Sequence, residues 1–191
     1  SGNQEGISRF FNSFSTLASD PTSSPLRYGV ISAAQNMAAM FRSTAQQLAD
    51  VRDNANGAIG NAVGEINSLT STIARLNVQI VAAEVGGNEA GTLRDQRSAA
   101  IDQLSGTLDI HYYATEDGSM SVSTATGHTL VTAGFAQALT TGTTPPNGFY
   151  SVSAGTTDIT SSIQGGKLGG LLAVRDQLVP AYQTDLDTLA E

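Results

Sequence analysis

Apolar residues keep one register through most of the first half of the chain. Val30, Ala34, Met37, Phe41, Ala45, Leu48, Val51, Ala55, Ile59, Val63, Ile66, Leu69, Ile73, Leu76, Ile80 and Ala83 follow one another in steps of three and four. The mean step lies near the ~3.5 residues of a coiled coil. This seam predicts a single helix from about residue 25 to 84, on the order of 85 Å long at about 1.5 Å per residue. Glycines at 57, 60 and 64 interrupt it, each costing about 1 kcal/mol relative to Ala in a helix interior. The seam passes through them without losing phase, so one continuous helix is expected rather than two.

The flanking segments are shorter. "ISRFFNSFSTLASD" places Ile7, Phe10, Phe11, Phe14, Leu17 and Ala18 on one helical stripe. Asp20-Pro21 ends it, because the residue before proline is pushed out of the α region. Ser24 then reads as an N-cap with Pro25 at the first helical position. "EVGGNEAG" breaks the long helix, and Thr92 with Asp95 reads as a capping box. The helix it opens carries Leu93, Ala100, Ile101 and Leu104 on one face. After "SGTLD" the apolar period changes to two, around a hairpin turn at Asp117-Gly118 and a second turn near Thr126-Gly127. "TTGTTPPNG" reads as a loop, and "FYSVSA" and "DITSSI" as weaker strands. Helical spacing returns from about Leu168, with Leu172, Val179, Tyr182, Leu186 and Leu189 on the same face and a kink expected at Pro180.

The fold class expected is α+β and predominantly helical. A long coiled-coil-like helix packs with shorter antiparallel helices and carries a small antiparallel β lobe. Residues 1–108 and 164–191 would form the helical trunk, and residues 109–163 the inserted lobe.

Composition narrows the chemistry. The chain has 191 residues, 40% of them hydrophobic, but only 6% aromatic and no Trp, which suits a thin helical core. Its net charge of −8 opposes nucleic-acid binding, which depends on cationic neutralisation of phosphates. Eight of the nine basic residues are Arg, scattered along the chain. With no Cys, disulfides and thiolate metal sites are excluded. No apolar run approaches the roughly 20 residues needed to span a bilayer, so no membrane insertion is expected. No charged-then-apolar leader opens the sequence either, so export is expected to use another address.

Candidate catalytic patterns fail one by one. "GGKLGG", residues 165–170, holds Lys167, the only lysine. A phosphate loop needs Ser or Thr after that lysine, where Leu168 stands. The dinucleotide fingerprint is absent as well. These glycines are read as letting a helix start close against a neighbour. His111 and His128 lack an acidic ligand set, and there is no H-E-x-x-H. "DVRDNANG" puts Arg52 and Ala55 where a calcium loop needs oxygen ligands. Asp95, Asp102, Asp176 and Asp185 lie on helical faces near Arg, and "RDQR", residues 94–97, reads as surface or inter-helix ion pairs. No enzyme, cofactor or metal is expected.

The seam does call for something. The helices near Thr92 and Leu168 are expected to be only roughly 25 and 35 Å long, too short to cover it unless they lie end to end. Further helical partners are therefore expected. The candidate assembly positions are Ile59, Val63, Ile66, Leu69, Ile73, Leu76, Ile80, Leu172, Val179 and Leu186.

Several segments, in this order, resemble one family. "FFNSFSTLASDPTSSPLRYGVISAAQNMAAMF", "INSLTSTIARLNVQIVAAEVGG", "LRDQRSAAIDQLS" and "GGKLGGLLAVRDQLVPAYQTDLDTLA" are similar to the bacterial flagellar hook-associated protein 1 family. Arg94 and Lys167 depart from its pattern, where apolar and acidic residues are common. The resemblance implies a structural part of the flagellum outside the cell, delivered by the flagellar type III export apparatus. It also implies assembly at the hook–filament junction with copies of itself, the hook protein and a second junction protein, and an export chaperone for the full-length protein. A type III-secreted coiled-coil adhesin or another flagellar axial protein, flagellin-like or the second junction protein, would share the same seam. Flanking heptad helices in the full-length gene would favour the axial reading.

Overall fold

The computed structural model describes residues 2–85, 87, 89–144 and 148–190. Helix α1 spans Gly2–Ser19 and helix α2 spans Ser24–Glu84, 61 residues without a break. The seam's phase across Gly57, Gly60 and Gly64 is therefore kept by the backbone. Helix α3 spans Gly91–Thr107. Strands β1 (Ile110–Ala114), β2 (Met120–Thr124), β3 (Thr129–Thr132) and β4 (Phe135–Ala136) form one sheet in that order. Strands β5 (Leu139–Thr144), β6 (Phe149–Ala154) and β7 (Thr157–Asp158) form a second. Every pairing is antiparallel, with Tyr112 opposite Val122 in the first sheet and Thr141 opposite Val152 in the second. A 3₁₀ turn at Thr160–Ser162 leads to α4 (Gly166–Ala173), a π-helical turn (Val174–Leu178) and α5 (Val179–Ala190).

Several local expectations need correction. The long helix begins one residue earlier than expected. The Ser23 carbonyl accepts the Arg27 N–H, so Ser23 occupies the cap and Pro25 the second helical position. α3 starts at Gly91 after Ala90, with no side-chain cap, so Thr92 and Asp95 form no capping box. Arg94 at this end instead reaches back to Glu84. "TTGTTPPNG" is a strand through Thr144, pairing residue by residue with β6; residues 145–147 lie outside the description. "DITSSI" contributes only Asp158 to a strand before the 3₁₀ turn. Just before Pro180 the helix widens into a π turn at Val174–Leu178. Proline lacks an N–H and crowds the carbonyl one turn back, and an i→i−5 turn is one way for a helix to absorb this.

The chain divides into two compact units, residues 1–52 with 178–191 and residues 53–177, and α2 contributes to both. These boundaries differ from 108/109 and 163/164, where the sequence changes periodicity. In residues 53–177 one apolar cluster draws on helices and strands together. Ile59, Val63, Ile66 and Ile73 of α2 meet Ala100, Ile101 and Leu104 of α3, with Val122, Leu130 and Val131 of the first sheet. Leu139 and Val152 of the second sheet and Leu168 and Leu172 of α4 complete it. The other unit is thinner. Val30 is buried, Met37, Phe41 and Leu48 are half-buried, and Val51 is 47% exposed. On α1, Phe10 makes edge-on contacts with Phe11 and Phe14, at 5.5 and 5.0 Å between ring centres. Phe11 and Phe14 remain largely exposed.

Candidate assembly seam and its polar clamps

The seam positions from 59 to 80 are occupied within the chain. Ile59, Ile66, Ile73 and Ile80 are fully buried, Leu76 and Val63 nearly so, and Leu69 packs against the cluster half-buried. Leu172 and Val179 are buried too, and Leu186 is half-buried. The structure brings Ile59, Val63, Ile66, Ile73 and Leu172 into one cluster with Leu69 against it. Leu76, Ile80, Val179 and Leu186 lie outside that cluster. What covers this part of α2 is mainly the chain's own strands together with α3 and α4, a cover that the helix lengths alone did not suggest. Burial of each such Leu, Ile or Val contributes about 1.5–3 kcal/mol relative to exposure.

Three asparagines of α2 hold the strands by their backbones, and sequence reasoning missed them. Asn67 pairs with both main-chain groups of Leu139: its Nδ2 donates to the carbonyl and its Oδ1 accepts the N–H, both at 2.8 Å. Asn77 donates to the Met120 and Ala133 carbonyls and accepts the Met120 N–H at 3.0 Å. Asn56 accepts the Tyr150 N–H at 2.8 Å. Each follows a seam residue directly, namely Ala55, Ile66 and Leu76. Asn is a poor residue for a helix interior because its amide competes for nearby backbone groups. Three Asn beside an apolar seam were the available signal.

Two arginines complete these contacts. Arg97 Nη1 donates to Asn77 Oδ1 at 2.8 Å and to the Gly118 carbonyl at 3.0 Å. Arg175 Nη1 donates to Asn56 Oδ1 at 2.9 Å and to the Tyr150 carbonyl at 2.7 Å. Arg175 also grips Asp176 through Nε and Nη2, and its guanidinium carbon lies 5.5 Å from the centre of the Phe149 ring. Both arginines are buried. Burial lowers the pKa of Arg97, with repulsion from Arg94 adding to it. "RDQR" thus splits. Arg94 makes the expected inter-helix pair with Glu84, raising its own pKa and lowering that of Glu84, whereas Arg97 is a buried hydrogen-bond donor.

The glycine-rich stretch behaves as a close approach. Gly166 has φ +69°, and a Cβ there would lie 2.7 Å from the Thr107 carbonyl group. A Cβ on Gly165 would meet the Asp109 side chain at 2.8 Å, and one on Gly169 the Gln164 backbone at 2.6 Å. Lys167 Nζ lies 3.0 Å from Glu65 Oε2, on the surface. His111 is exposed on β1 and His128 is half-buried before β3. "DVRDNANG" is α-helical throughout, as part of α2. Among the described residues no group of His, Cys, Asp and Glu could hold a metal ion. No helix among them is long and apolar enough to cross a membrane.

Over residues 1–191 the sequence matches the family described as the flagellar hook-associated protein FlgK helical domain. It is 29% identical over 193 residues to flagellar hook-associated protein 1 of Salmonella typhimurium, covering 96% of this chain and 35% of that protein. The protein of the same name from Bacillus subtilis is 30% identical over 127 residues, covering 66% of this chain and 25% of that one. The fold matches the flagellar hook junction protein FlgK from Burkholderia pseudomallei with a TM-score of 0.86 and 30% identity, over 100% of this chain and 36% of that one. The chain thus spans about a third of the length of the longer relatives it matches. With helix order, seam and fold in agreement along its whole length, the chain belongs to the flagellar hook-associated protein FlgK helical-domain family.

Proposed function

We propose that this chain is a structural segment of a hook–filament junction protein of the bacterial flagellum, without catalytic activity. The observation that carries this reading is the match of the whole chain, in sequence and in fold, to the helical domain of hook junction proteins. Residues 1–108 and 164–191 would serve as the trunk and residues 109–163 as its lobe. The seam from Ile59 to Ile80, with Leu172, Val179 and Leu186, would act by building the body that carries contact surfaces. Helical segments from outside the chain would cover the thinner unit, where Phe11, Tyr28, Ile31, Tyr182 and Leu189 are exposed. The partners proposed are copies of the same protein, the hook protein and a second junction protein, with an export chaperone before assembly. Delivery would be through the flagellar export apparatus to the cell exterior. Deleting the gene tests this: hooks should remain, filaments should be lost and flagellin should appear in the medium. Normal filaments with loss of host-surface binding would replace this reading with the adhesin one.

A further inference from the structure

The two sheets are fastened to α2 by the same arrangement used twice. In each, an Asn amide oxygen on α2 accepts a strand N–H and one arginine Nη1, and that nitrogen also donates to a backbone carbonyl of the same sheet or the turn leading into it. In one case the groups are Asn77, Met120 N–H, Arg97 and Gly118 C=O. In the other they are Asn56, Tyr150 N–H, Arg175 and Tyr150 C=O. The arginines come from different elements, α3 and the π turn, so the likeness is not a by-product of one local motif.

Apolar packing alone leaves an ambiguity that these contacts remove. A strand that slips by one residue turns its apolar face to solvent, so burial forbids that slip. A slip by two residues returns the same alternation to the core, and burial discriminates against it weakly. Hydrogen bonds do discriminate, because after such a slip the amide and guanidinium would face different backbone groups. The first sheet has particular need of this, since the β2–β3 register shifts between Val122 and Ser123. Buried polar groups are often replaceable by apolar ones at little loss of stability, yet can specify a single arrangement.

We propose that Asn77 with Arg97, and Asn56 with Arg175, are positioning residues that select one seating of each sheet on α2, each clamp acting on its own sheet. This inference is independent of the junction reading, since it concerns residues 53–177 alone.

Because the chain has no cysteine, nitroxide labels can be placed singly through introduced thiols. One pair, Gln79→Cys and Glu116→Cys, reports on the first sheet. The other, Asn61→Cys and Thr156→Cys, reports on the second; all four positions are exposed. In the double variant Asn77→Leu with Arg97→Met, the protein should still fold, with a lower denaturation midpoint because the Met120, Ala133 and Gly118 backbone groups lose these partners, while the 79–116 distance distribution widens about two-fold or more. The 61–156 distribution should be unchanged. Asn56→Leu with Arg175→Met, combined with Asn67→Leu so that the Leu139 contacts do not hold the second sheet in their place, should give the reverse, and Arg97→Lys, which keeps a donor for both acceptors, should leave the 79–116 distribution narrow. A double or triple variant that keeps a narrow distribution overturns the proposal. So does one that fails to fold, or both distributions widening together, because the clamps would then carry bulk stability rather than seat each sheet.

Discussion

Within residues 165–170 the glycines carry unequal constraints, and single methyl groups separate them. A Cβ on Gly169 would strike the Gln164 backbone at 2.6 Å, whereas one on Gly170 meets nothing within 4 Å. Gly169→Ala should therefore destabilise by about 1–3 kcal/mol through forced backbone shifts. Gly170→Ala should gain up to about 1 kcal/mol from helix propensity. Chemical denaturation of the two variants checks both signs. The sequence showed that the chain must pass close to something here, but the neighbours, Thr107 and Asp109, were set by the topology of the strands between. Lys167 is similar: its sequence position predicts that Glu would favour the helix start, by about 0.3–1 kcal/mol. Glu65 opposite removes that advantage, so Lys167→Glu should change stability by no more than about 0.5 kcal/mol, an exposed pair being worth about 0–1 kcal/mol. Asp117 was legible as a turn residue, and its role is now explicit. The Thr115 hydroxyl first, then the N–H and hydroxyl of Ser119, donate to its carboxylate and hold its pKa below the usual range. A depressed folded pKa gives stability that is present above the unfolded value of about 3.9 and lost as pH falls through the folded one. Asp117→Ala should thus lower the denaturation midpoint at pH 7, and the difference between the two proteins should shrink as acid protonates the Asp117 carboxylate.

At the scale of the element, α2 was the most legible part of the molecule. A step of three and four kept over so many positions leaves little freedom in where the buried face lies, and Ile59, Ile66, Ile73 and Ile80 are all fully buried. Its glycines differ in the same way as those of the loop. Gly57 and Gly64 face open space, while a Cβ on Gly60 would lie 3.2 Å from the Tyr150 ring. Alanine at 57 or 64 should stabilise by about 0.5–1 kcal/mol each, and alanine at 60 should gain less or lose, as read by denaturant midpoints. What covers the helix was not legible. After Leu139, β5 is a run of Thr and Gly without apolar alternation, and it is a strand because β6 pairs with it along its length. The clamps were hidden for a related reason. An amide beside a seam is ordinary surface until strands 43 to 94 residues away in sequence bring their backbones to it. The cap shift to Ser23 reflects a choice between adjacent serines that local pattern cannot make.

Across the whole molecule, buried seam residues build the body and exposed turn residues decorate it. In a junction-deficient strain supplied with the full-length protein, Ile73→Asp should abolish motility, because a buried unpaired carboxylate is strongly unfavourable. Asp117→Ala should leave motility largely intact. Equal loss from both would give the β1–β2 turn a part in assembly, and equal rescue would remove the seam from it. The central claim is that residues 59–80 of α2 are covered by the chain itself, while residues 30–52 of the same helix are thinly covered. Amide hydrogen exchange on the isolated chain reads both stretches in one molecule. The net charge of −8 disfavours non-specific association, so the isolated chain is expected to be monomeric. Its amides from Ile59 to Ile80 should then exchange slowest, independently of protein concentration, and those from Val30 to Val51 markedly faster. Protection at 59–80 that is no greater than at 30–51, or that appears only as concentration rises, would contradict the claim and return the seam to contacts between subunits.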